Sequence, residues 1–88
     1  MPTIVVNLRE QQCDVRICRP SKWGNPFRME NRLVRMPVID QYREWLRTQP
    51  QLIEAARREL KGKRLGCWCA PLACHGDVLA RVADGGEP

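Results

Sequence analysis

The sequence predicts a small single-domain α/β fold with about three strands and three helices, in the order β-β-α-α-β-α, and a sheet that is at least partly parallel. Three observations lead to this prediction. The chain has 88 residues, which suits one domain. Its shares of hydrophobic residues (43%) and charged residues (28%) are typical of a globular protein. Its apolar pattern switches between the periodicity of strands and that of helices. We expect the domain to span residues 1–83 and residues 84–88 to form a disordered tail.

Three segments show the two-residue alternation that is typical of strands: residues 3–8, 14–18 and 64–69. In the last segment, Cys67 and Cys69 lie on one face of the strand, whereas Gly66 and Trp68 lie on the other. Both cysteines are therefore predicted to point in the same direction.

Three further segments show apolar residues at helical spacing. The first helix follows Pro37, which suits the first turn, and ends near Thr48 before Pro50. The second ends at Gly62, a residue type that is common just after a helix C-terminus. The third follows Asp77, which we expect to be its N-cap or an acid in its first turn.

The basic residues favour an anionic partner without requiring one. Fifteen Lys and Arg against ten Asp and Glu give a net charge of +5, and twelve of the fifteen are Arg. Guanidinium groups match the geometry of phosphate and carboxylate. One interpretation is therefore a nucleotide, nucleic acid or other phosphate-bearing partner. The other is an Arg-rich surface that contacts only solvent, since the basic residues are spread along the chain.

The cysteines and the lack of targeting features predict a cytoplasmic protein. No apolar run approaches the ~18 residues of a membrane span, and the N-terminus lacks the features of a signal peptide. An odd number of cysteines, five, without an export signal favours a reducing compartment over a disulfide framework. We therefore expect no membrane partner, and the sequence indicates no particular oligomeric state.

Three of the five cysteines lie within eight residues, next to the only histidine of the chain. Cys67, Cys69, Cys74 and His75 could form a tetrahedral site that suits Zn²⁺. The spacing is not that of a familiar zinc finger, and the side chains of adjacent residues such as Cys74 and His75 diverge. An iron–sulfur cluster is less favoured, because the pattern matches no common cluster motif. The structural alternative is that Cys67 and Cys69 are core thiols and that His75 caps a helix.

The same segment allows two interpretations without a metal. Cys74 lies just before a helix N-terminus and next to a histidine, a setting that lowers a thiol pKa and suits a nucleophile. His75 or Asp77 would then be its proton partner. Alternatively, the turn Cys74-His75-Gly76 offers backbone N–H groups to a phosphate or carboxylate, and Gly76 permits close approach.

The loop at residues 19–27 carries groups that suit an anionic ligand: Arg19, Ser21, Lys22 and Asn25. Loops that follow strands of an α/β sheet line the ligand crevice. If the second and third strands are parallel neighbours, this loop and the turn at residues 74–77 open onto one edge of the sheet.

The aromatic residues of these segments have both a structural and a binding interpretation. Trp23 and Trp68 could stack on a base, but we expect both to pack under the loop. In the structural interpretation, Trp23 and Phe27 pin an Ω-loop. Trp45 is predicted to lie in the core.

The two segments are similar to a known family. The residues that carry the resemblance are Cys18-Arg19-Pro20-Ser21-Lys22-Trp23-Gly24-Asn25-Pro26-Phe27, the helix around residues 42–46, Leu60-Lys61-Gly62-Lys63-Arg64-Leu65-Gly66-Cys67-Trp68-Cys69 and Cys74-His75-Gly76-Asp77-Val78-Leu79. They resemble the small phage and bacterial family catalogued as domain of unknown function 4326, over nearly the whole chain. Where this family usually has glycine before the arginine of the loop, the chain has Cys18, so Cys13 and Cys18 are not expected to belong to a shared site.

The resemblance implies a cytosolic protein of phage or actinobacterial type, located in the bacterial host if it is phage-encoded, and it implies no established activity. It marks the loop and the Cys/His cluster as the characteristic segments of the family.

Together these features predict a binding module for a phosphate-bearing ligand, either a nucleotide or a nucleic acid, with a Cys/His cluster that can hold zinc. The predicted ligand-binding residues are Arg19, Ser21, Lys22, Trp23, Asn25 and Gly76. One alternative is a cysteine-dependent transferase or hydrolase that acts on a nucleoside-like substrate through Cys74, His75 and Asp77. Another is a host-directed module that binds a host protein.

Overall fold

The computed structural model describes residues 2–19, 21–26, 35–70 and 72–88. The strands are β1 (Ile4–Asn7), β2 (Val15–Arg16) and β3 (Arg64–Cys67), and the helices are α1 (Arg35–Arg47), α2 (Pro50–Glu59) and α3 (His75–Ala83). The predicted α/β class and the order β-β-α-α-β-α are confirmed. Phe27, which was expected to pin the loop, lies outside the described residues. No helix in the described ranges is both long and apolar enough to cross a membrane.

The three strands form one parallel sheet in the order β1-β3-β2. Val5 of β1 and Val15 of β2 both align with Leu65 of β3. The second and third strands are therefore parallel neighbours, which meets the condition for the loop and the turn at residues 74–77 to open onto one edge of the sheet. Because all three strands run the same way, the segments that follow them emerge at one edge of the sheet, which we call the carboxyl edge.

The connection between β1 and β2 crosses β3, and this crossing requires glycine at position 66. β1 and β2 lie on opposite sides of β3 and are joined by residues 8–14. A Cβ atom on Gly66 would lie 2.5 Å from both Cys13 Sγ and Leu8 Cδ2. Any larger residue would push the connection away from the strand. Asp14 fastens the end of the crossing, because its carboxylate accepts the Arg64 N–H at 2.8 Å.

The helices form a layer in which each contacts the other two, and α3 lies against β1 and β3. The core between them consists of apolar side chains with no exposed area, among them Leu46, Ala56, Leu60, Leu65, Leu79 and Val82. Tyr42 is also fully buried, and its hydroxyl donates to the Trp23 carbonyl at 3.1 Å. This bond fastens the loop to α1. Trp23 is buried, as the Ω-loop interpretation predicts, and Trp45 packs against the core.

The element ends differ from the predicted ones by small amounts. α1 begins at Arg35 rather than at Pro37, and β3 ends at Cys67 rather than at Cys69. Gly62 has φ 74°, in the left-handed region that favours glycine, as predicted for the end of the second helix. The N-cap of α3 is Cys74, and Asp77 is the first-turn acid.

The opposite edge of the sheet, which we call the amino edge, is closed by a polar cluster around Thr3. The Thr3 side chain is 6% exposed, and its hydroxyl donates to the Asp84 carboxylate at 2.6 Å. The same hydroxyl accepts the Gly62 N–H at 2.9 Å, and Asp84 also accepts the Thr3 N–H at 3.2 Å. One buried side chain thus joins the start of β1, the turn before β3 and the end of α3.

Residues 84–88 lie against the helices in this structure. Arg57 donates to the Gly86 carbonyl at 3.1 Å, and Arg47 donates to the Pro88 carbonyl at 2.9 Å. Pro88 is buried. The disordered tail that the sequence suggests stays a prediction about the chain in solution.

Candidate functional site

A cavity of about 400 Å³ lies at the carboxyl edge of the sheet. Arg19 and Asn25 of the loop after β2 line one side of it. Trp68, Cys74 and His75 of the segment after β3 line another, and apolar residues of α1 close it. The two segments that the sequence predicts to meet therefore share one cavity, because parallel pairing of β2 and β3 delivers both to the same edge.

Two cysteine sulfurs form a close pair in the cavity wall. Cys67 Sγ and Cys74 Sγ are 3.4 Å apart, and the two residues are 2% and 4% exposed. The two sulfurs share a hydrogen bond, and the backbone N–H groups of Cys69 and Ala70 lie near Cys67. These interactions lower the pKa of Cys67 to about 6. The pKa of Cys74 is raised, because of the hydrogen bond with the Cys67 sulfur and because the thiol is buried.

The hydrogen bond between the sulfurs favours the thiolate at Cys67 over the thiolate at Cys74. The Gly76 N–H, which donates to Cys74 Sγ at 3.3 Å, acts in the opposite direction, but burial and the hydrogen bond to Cys67 outweigh it. The carboxylate of Asp77 disfavours a thiolate at both cysteines.

The N-terminus of α3 is capped by its own side chains. The Cys74 sulfur accepts the Gly76 N–H, and the Asp77 carboxylate accepts the Cys74 N–H at 3.1 Å. The reciprocal arrangement is a capping box with cysteine in the place that serine or threonine usually takes. Two of the amides that the sequence offered to an anion are thus already used, and Asp77 adds a negative charge at this point.

His75 is turned towards β2 and away from the sulfur pair. Its Nε2 atom lies 2.8 Å from the Ile17 carbonyl oxygen, so the neutral ring donates there. The Tyr42 ring packs edge-on, with 5.1 Å between the two ring centroids. Burial lowers the pKa of His75, and the nearby positive charge of Arg19 acts in the same direction. The imidazole is therefore neutral at neutral pH and holds β2 against α3.

The four residues predicted as zinc ligands do not meet around one point. Within residues 2–19, 21–26, 35–70 and 72–88, no three His, Cys, Asp or Glu side chains are close enough to hold one ion. Cys67 and Cys74 are close together, but the Nε2 atom of His75 is bonded to Ile17. The donor set supplies two of the four ligands of a tetrahedral site, so zinc stays a prediction and no chemistry is derived from it.

The predicted ligand-binding residues of the loop take different positions. Arg19 and Asn25 line the cavity, and Arg19 is exposed. Lys22 instead reaches α2, where its ammonium donates to the Glu59 carboxylate at 3.0 Å. Ser21 accepts the N–H of the buried Trp23 at 3.3 Å and so stabilises the loop itself.

Gly76 has a packing role that explains its residue type. It is buried in the first turn of α3, and a Cβ atom there would lie 2.6 Å from Ile17 Cδ1 and 3.1 Å from Val5 Cγ2. Glycine therefore lets α3 approach the sheet closely, whereas the sequence interpretation reserved that space for a ligand.

Sequence reasoning missed the surroundings of Trp68. We expected this side chain to pack under the loop, and that expectation is wrong, because Trp68 is 49% exposed. The guanidinium carbons of Arg9 and Arg16 each lie 5.9 Å from the centre of its ring. Arg16 could have been found, because it pairs with Gly66 and so lies beside the strand that leads to Trp68. Arg9 lies in the connection between β1 and β2, and the sequence does not predict where this connection lies relative to β3.

One known protein family matches most of the chain. The family described as domain of unknown function (DUF4326) matches residues 6–85. The chain belongs to the DUF4326 family. The resemblance stated from the loop and the Cys/His cluster is thereby confirmed.

A phage protein is a relative of this DUF4326 domain. The chain is 32% identical over 83 residues to the "Uncharacterized 12.4 kDa protein in nrdA-td intergenic region" of Enterobacteria phage T4. The alignment covers 91% of the chain and 76% of the phage protein. No solved structure is significantly similar to this DUF4326 domain. The family and the relative carry no described activity, so function has to be argued from the site.

Proposed function

We propose that the protein binds a phosphate-bearing nucleotide, either alone or at the end of a single-stranded nucleic acid, at the carboxyl edge of the sheet. The observation that carries the proposal is the position of Trp68. This half-exposed indole lines the cavity and is flanked by Arg9 and Arg16, while Arg19 lies at the same cavity. We call Arg9, Arg16, Arg19 and Trp68 the arginine–tryptophan surface.

An exposed indole gives a base a flat apolar partner. Stacking of a base on an aromatic side chain contributes about 1–3 kcal/mol and tolerates every base, because each has a π-face. Trp68 is the one tryptophan that can do this among the three, since Trp23 is buried and Trp45 packs against the core. The base would therefore stack at Trp68, at the mouth of the cavity.

Among the described residues, no carboxylate forms an ion pair with an arginine of this surface. In the described part of the chain, the ion pairs involve Lys22, Arg43, Arg47, Arg57 and Arg64. None of these pairs includes Arg9, Arg16 or Arg19. Three positive charges therefore remain available beside the exposed indole, and phosphate is the anion that guanidinium groups match best in a nucleotide.

The negative charges of the site indicate which way the ligand lies. Cys67, whose pKa is lowered, lies in the wall of the cavity, and the exposed Asp77 carboxylate lies near the start of α3. A phosphate there would meet like charge, whereas the exposed Arg19 and the two arginines beside Trp68 lie outside. The uncharged part of the ligand would enter the cavity and the phosphate would stay at its rim.

Binding of a fluorescently labelled single-stranded oligonucleotide, followed by anisotropy at low salt, tests the proposal. We expect Trp68→Ala to weaken binding about tenfold through loss of stacking. Arg16→Ala should weaken it and reduce the slope of affinity against salt by about one. Arg58→Ala removes an equal charge from the exposed surface of α2 and serves as the matched control, with no change expected.

Unlabelled mononucleotides in the same assay distinguish the two forms of ligand. If a mononucleotide competes as well as an oligonucleotide at the same concentration of phosphate groups, the site binds a single nucleotide. If only oligonucleotides compete, the site binds a nucleic acid strand. No binding of either ligand at low salt, or an equal loss with Arg58→Ala, would contradict the proposal.

A second candidate function is supported by the thiolate in the cavity wall. A transferase or hydrolase that acts on a nucleoside-like substrate would need an activated nucleophile next to the ligand. Since the pKa of Cys67 is lowered and that of Cys74 is raised, we assign the nucleophile to Cys67 rather than to Cys74. His75 and Asp77 are bonded to backbone groups, and Cys74 is the proton partner that the geometry supplies. Alkylation of Cys67 before the other cysteines below pH 7 would support this role.

A further inference from the structure

The sulfur pair in the cavity wall has a geometry that the binding of a nucleotide does not use. Cys67 Sγ and Cys74 Sγ are 3.4 Å apart, and both line the cavity. We infer that these two residues are a reactive dithiol, which hydrogen peroxide oxidises to a disulfide with Cys67 as the attacking thiolate and Cys74 as the resolving thiol. The inference is independent of which ligand the arginine–tryptophan surface binds.

The distance between the two sulfurs makes the disulfide accessible. A disulfide bond is about 2.05 Å long, so the sulfurs need to approach by roughly 1.4 Å. Cys74 is the N-cap of α3 and has extended backbone angles, which leaves its side chain outside the helical turn. The turn between β3 and α3 already brings the two residues together, although seven positions separate them.

Cys67 Sγ lies 3.4 Å from Cys74 Sγ. This hydrogen bond and the nearby backbone N–H groups of Cys69 and Ala70 lower the pKa of Cys67, which favours Cys67 as the attacking sulfur. The thiolate is the form of cysteine that reacts with peroxide. Cys69 lines the same cavity but has no such cluster of donors described around its sulfur, so it provides an internal comparison.

Burial selects a small oxidant. Cys67 and Cys74 are 2% and 4% exposed, and they are reached through a cavity of about 400 Å³. A peroxide molecule is the size of two water molecules and fits such a path. A protein disulfide would have to bring a folded partner against sulfurs that lie below the surface.

The reaction balances in two steps. In the first step, the Cys67 thiolate attacks one peroxide oxygen, the O–O bond breaks and hydroxide leaves. The hydroxide takes a proton from the solvent and becomes water. The sulfur is thereby oxidised to a sulfenic acid, and the peroxide is reduced. The Cys74 sulfur then attacks Cys67 Sγ and the S–O bond breaks. The departing hydroxide takes the Cys74 thiol proton and leaves as a second water, and one disulfide remains.

Mass spectrometry of the full-length protein after treatment with hydrogen peroxide at neutral pH tests the inference. Trypsin cleavage after Arg64 and Arg81 releases one peptide that contains Cys67, Cys69 and Cys74. In Cys69→Ser only the proposed pair remains in that peptide, which should become lighter by two hydrogen atoms. The free thiols at Cys13 and Cys18 should be oxidised about tenfold more slowly than Cys67.

Two variants separate the roles of the pair. Cys67→Ser should abolish the disulfide in this peptide. In Cys74→Ser, whose hydroxyl can still donate to Cys67, the peptide should instead gain oxygen at Cys67. Thermal melts of both variants establish that they are folded. In the wild-type protein, fragmentation of the peptide in the mass spectrometer identifies the two cysteines that the disulfide joins, without any substitution.

The inference is overturned if peroxide oxidises Cys69, Cys13 or Cys18 as fast as Cys67, or if the disulfide in wild type joins Cys69. Loss of oligonucleotide binding in Trp68→Ala leaves these outcomes unchanged. A failure of the proposed ligand and a failure of the proposed dithiol are thus told apart.

Discussion

The two edges of the sheet use polar side chains in opposite ways. At the amino edge, the Thr3 hydroxyl donates to the Asp84 carboxylate and accepts the Gly62 N–H. At the carboxyl edge, Arg19, Trp68 and the Cys67–Cys74 pair surround a cavity of about 400 Å³. Both edges carry residues from distant parts of the chain.

This difference separates polar groups that hold the fold together from polar groups that are available for chemistry. A buried hydroxyl whose donor and acceptor capacities are both used stabilises the folded chain and binds nothing else. Sulfur atoms and guanidinium groups beside an open space keep their capacity for a ligand or a reagent. We therefore expect substitutions at the amino edge to change stability, and substitutions at the carboxyl edge to change binding or reactivity.

The largest effect on stability is expected for Thr3→Val. The variant keeps the shape of the side chain but removes the hydroxyl, which leaves the Gly62 N–H without its acceptor and removes one donor to Asp84. The free energy of unfolding should fall by about 2 kcal/mol. Urea denaturation measures the change.

The control for this substitution is Thr48→Val, where an exposed hydroxyl donates to the Trp45 carbonyl. It should cost less than about 0.5 kcal/mol. Thr3→Val should leave oligonucleotide binding and peroxide reactivity at the wild-type level. An equal cost for both variants, or a loss of reactivity in Thr3→Val, would remove the distinction between the two edges.

A smaller effect is expected from acid, and it depends on His75. Burial keeps the pKa of His75 below its usual value in the folded protein, so the unfolded chain takes up a proton at a higher pH than the folded chain does. The contribution to stability is complete above the unfolded pKa of about 6.5 and is lost as the pH falls through the folded pKa. The free energy of unfolding should therefore decrease from pH 7 to pH 5.

His75→Gln isolates this contribution, because the amide of glutamine can still donate to the Ile17 carbonyl but does not titrate in this range. The variant should lose less stability than the wild type over the same pH interval. Parallel curves for the two proteins would show that His75 is not the group that titrates.

The smallest effect is expected from removal of metal. Since Cys67 and Cys74 are the only predicted zinc ligands that the structure brings into contact among the described residues, we expect purified protein to contain less than one equivalent of zinc. A chelator should leave the melting temperature unchanged. Elemental analysis together with a melt in chelator measures both, and one equivalent of zinc lost together with the fold would establish a Cys₃His site.

The sequence predicts which segments form this site better than it predicts the contacts of their side chains. The alternation in β2 and β3 predicts two strands but does not predict that they pair. If they are parallel neighbours, as the structure shows, the loop and the Cys/His segment reach one edge. The pairing of Lys22 with Glu59 could not be predicted, because it depends on how α2 packs beside the loop. The same limit applies to Gly76, whose neighbour Ile17 is known only from the docking of α3 on the sheet.

The position of the thiolate illustrates a second limit. Sequence spacing places Cys74 at a helix N-terminus and so favours it as the nucleophile. In the structure, Cys74 instead shares a hydrogen bond with Cys67, which lowers the pKa of Cys67 and raises that of Cys74. This contact depends on the path of the turn between β3 and α3, which the periodicity of the sequence does not predict.

The central position of β3 has a consequence for the order in which this molecule is built. β1 and β2 leave the ribosome early, yet neither pairs with the other, since the strand between them begins only at Arg64. During synthesis the chain can form α1 and α2 from local contacts, but its sheet must wait until β3 has been synthesised. Until then, two apolar strand segments have exposed edges, and a nascent chain stalled before residue 64 should depend on chaperones to stay out of aggregates.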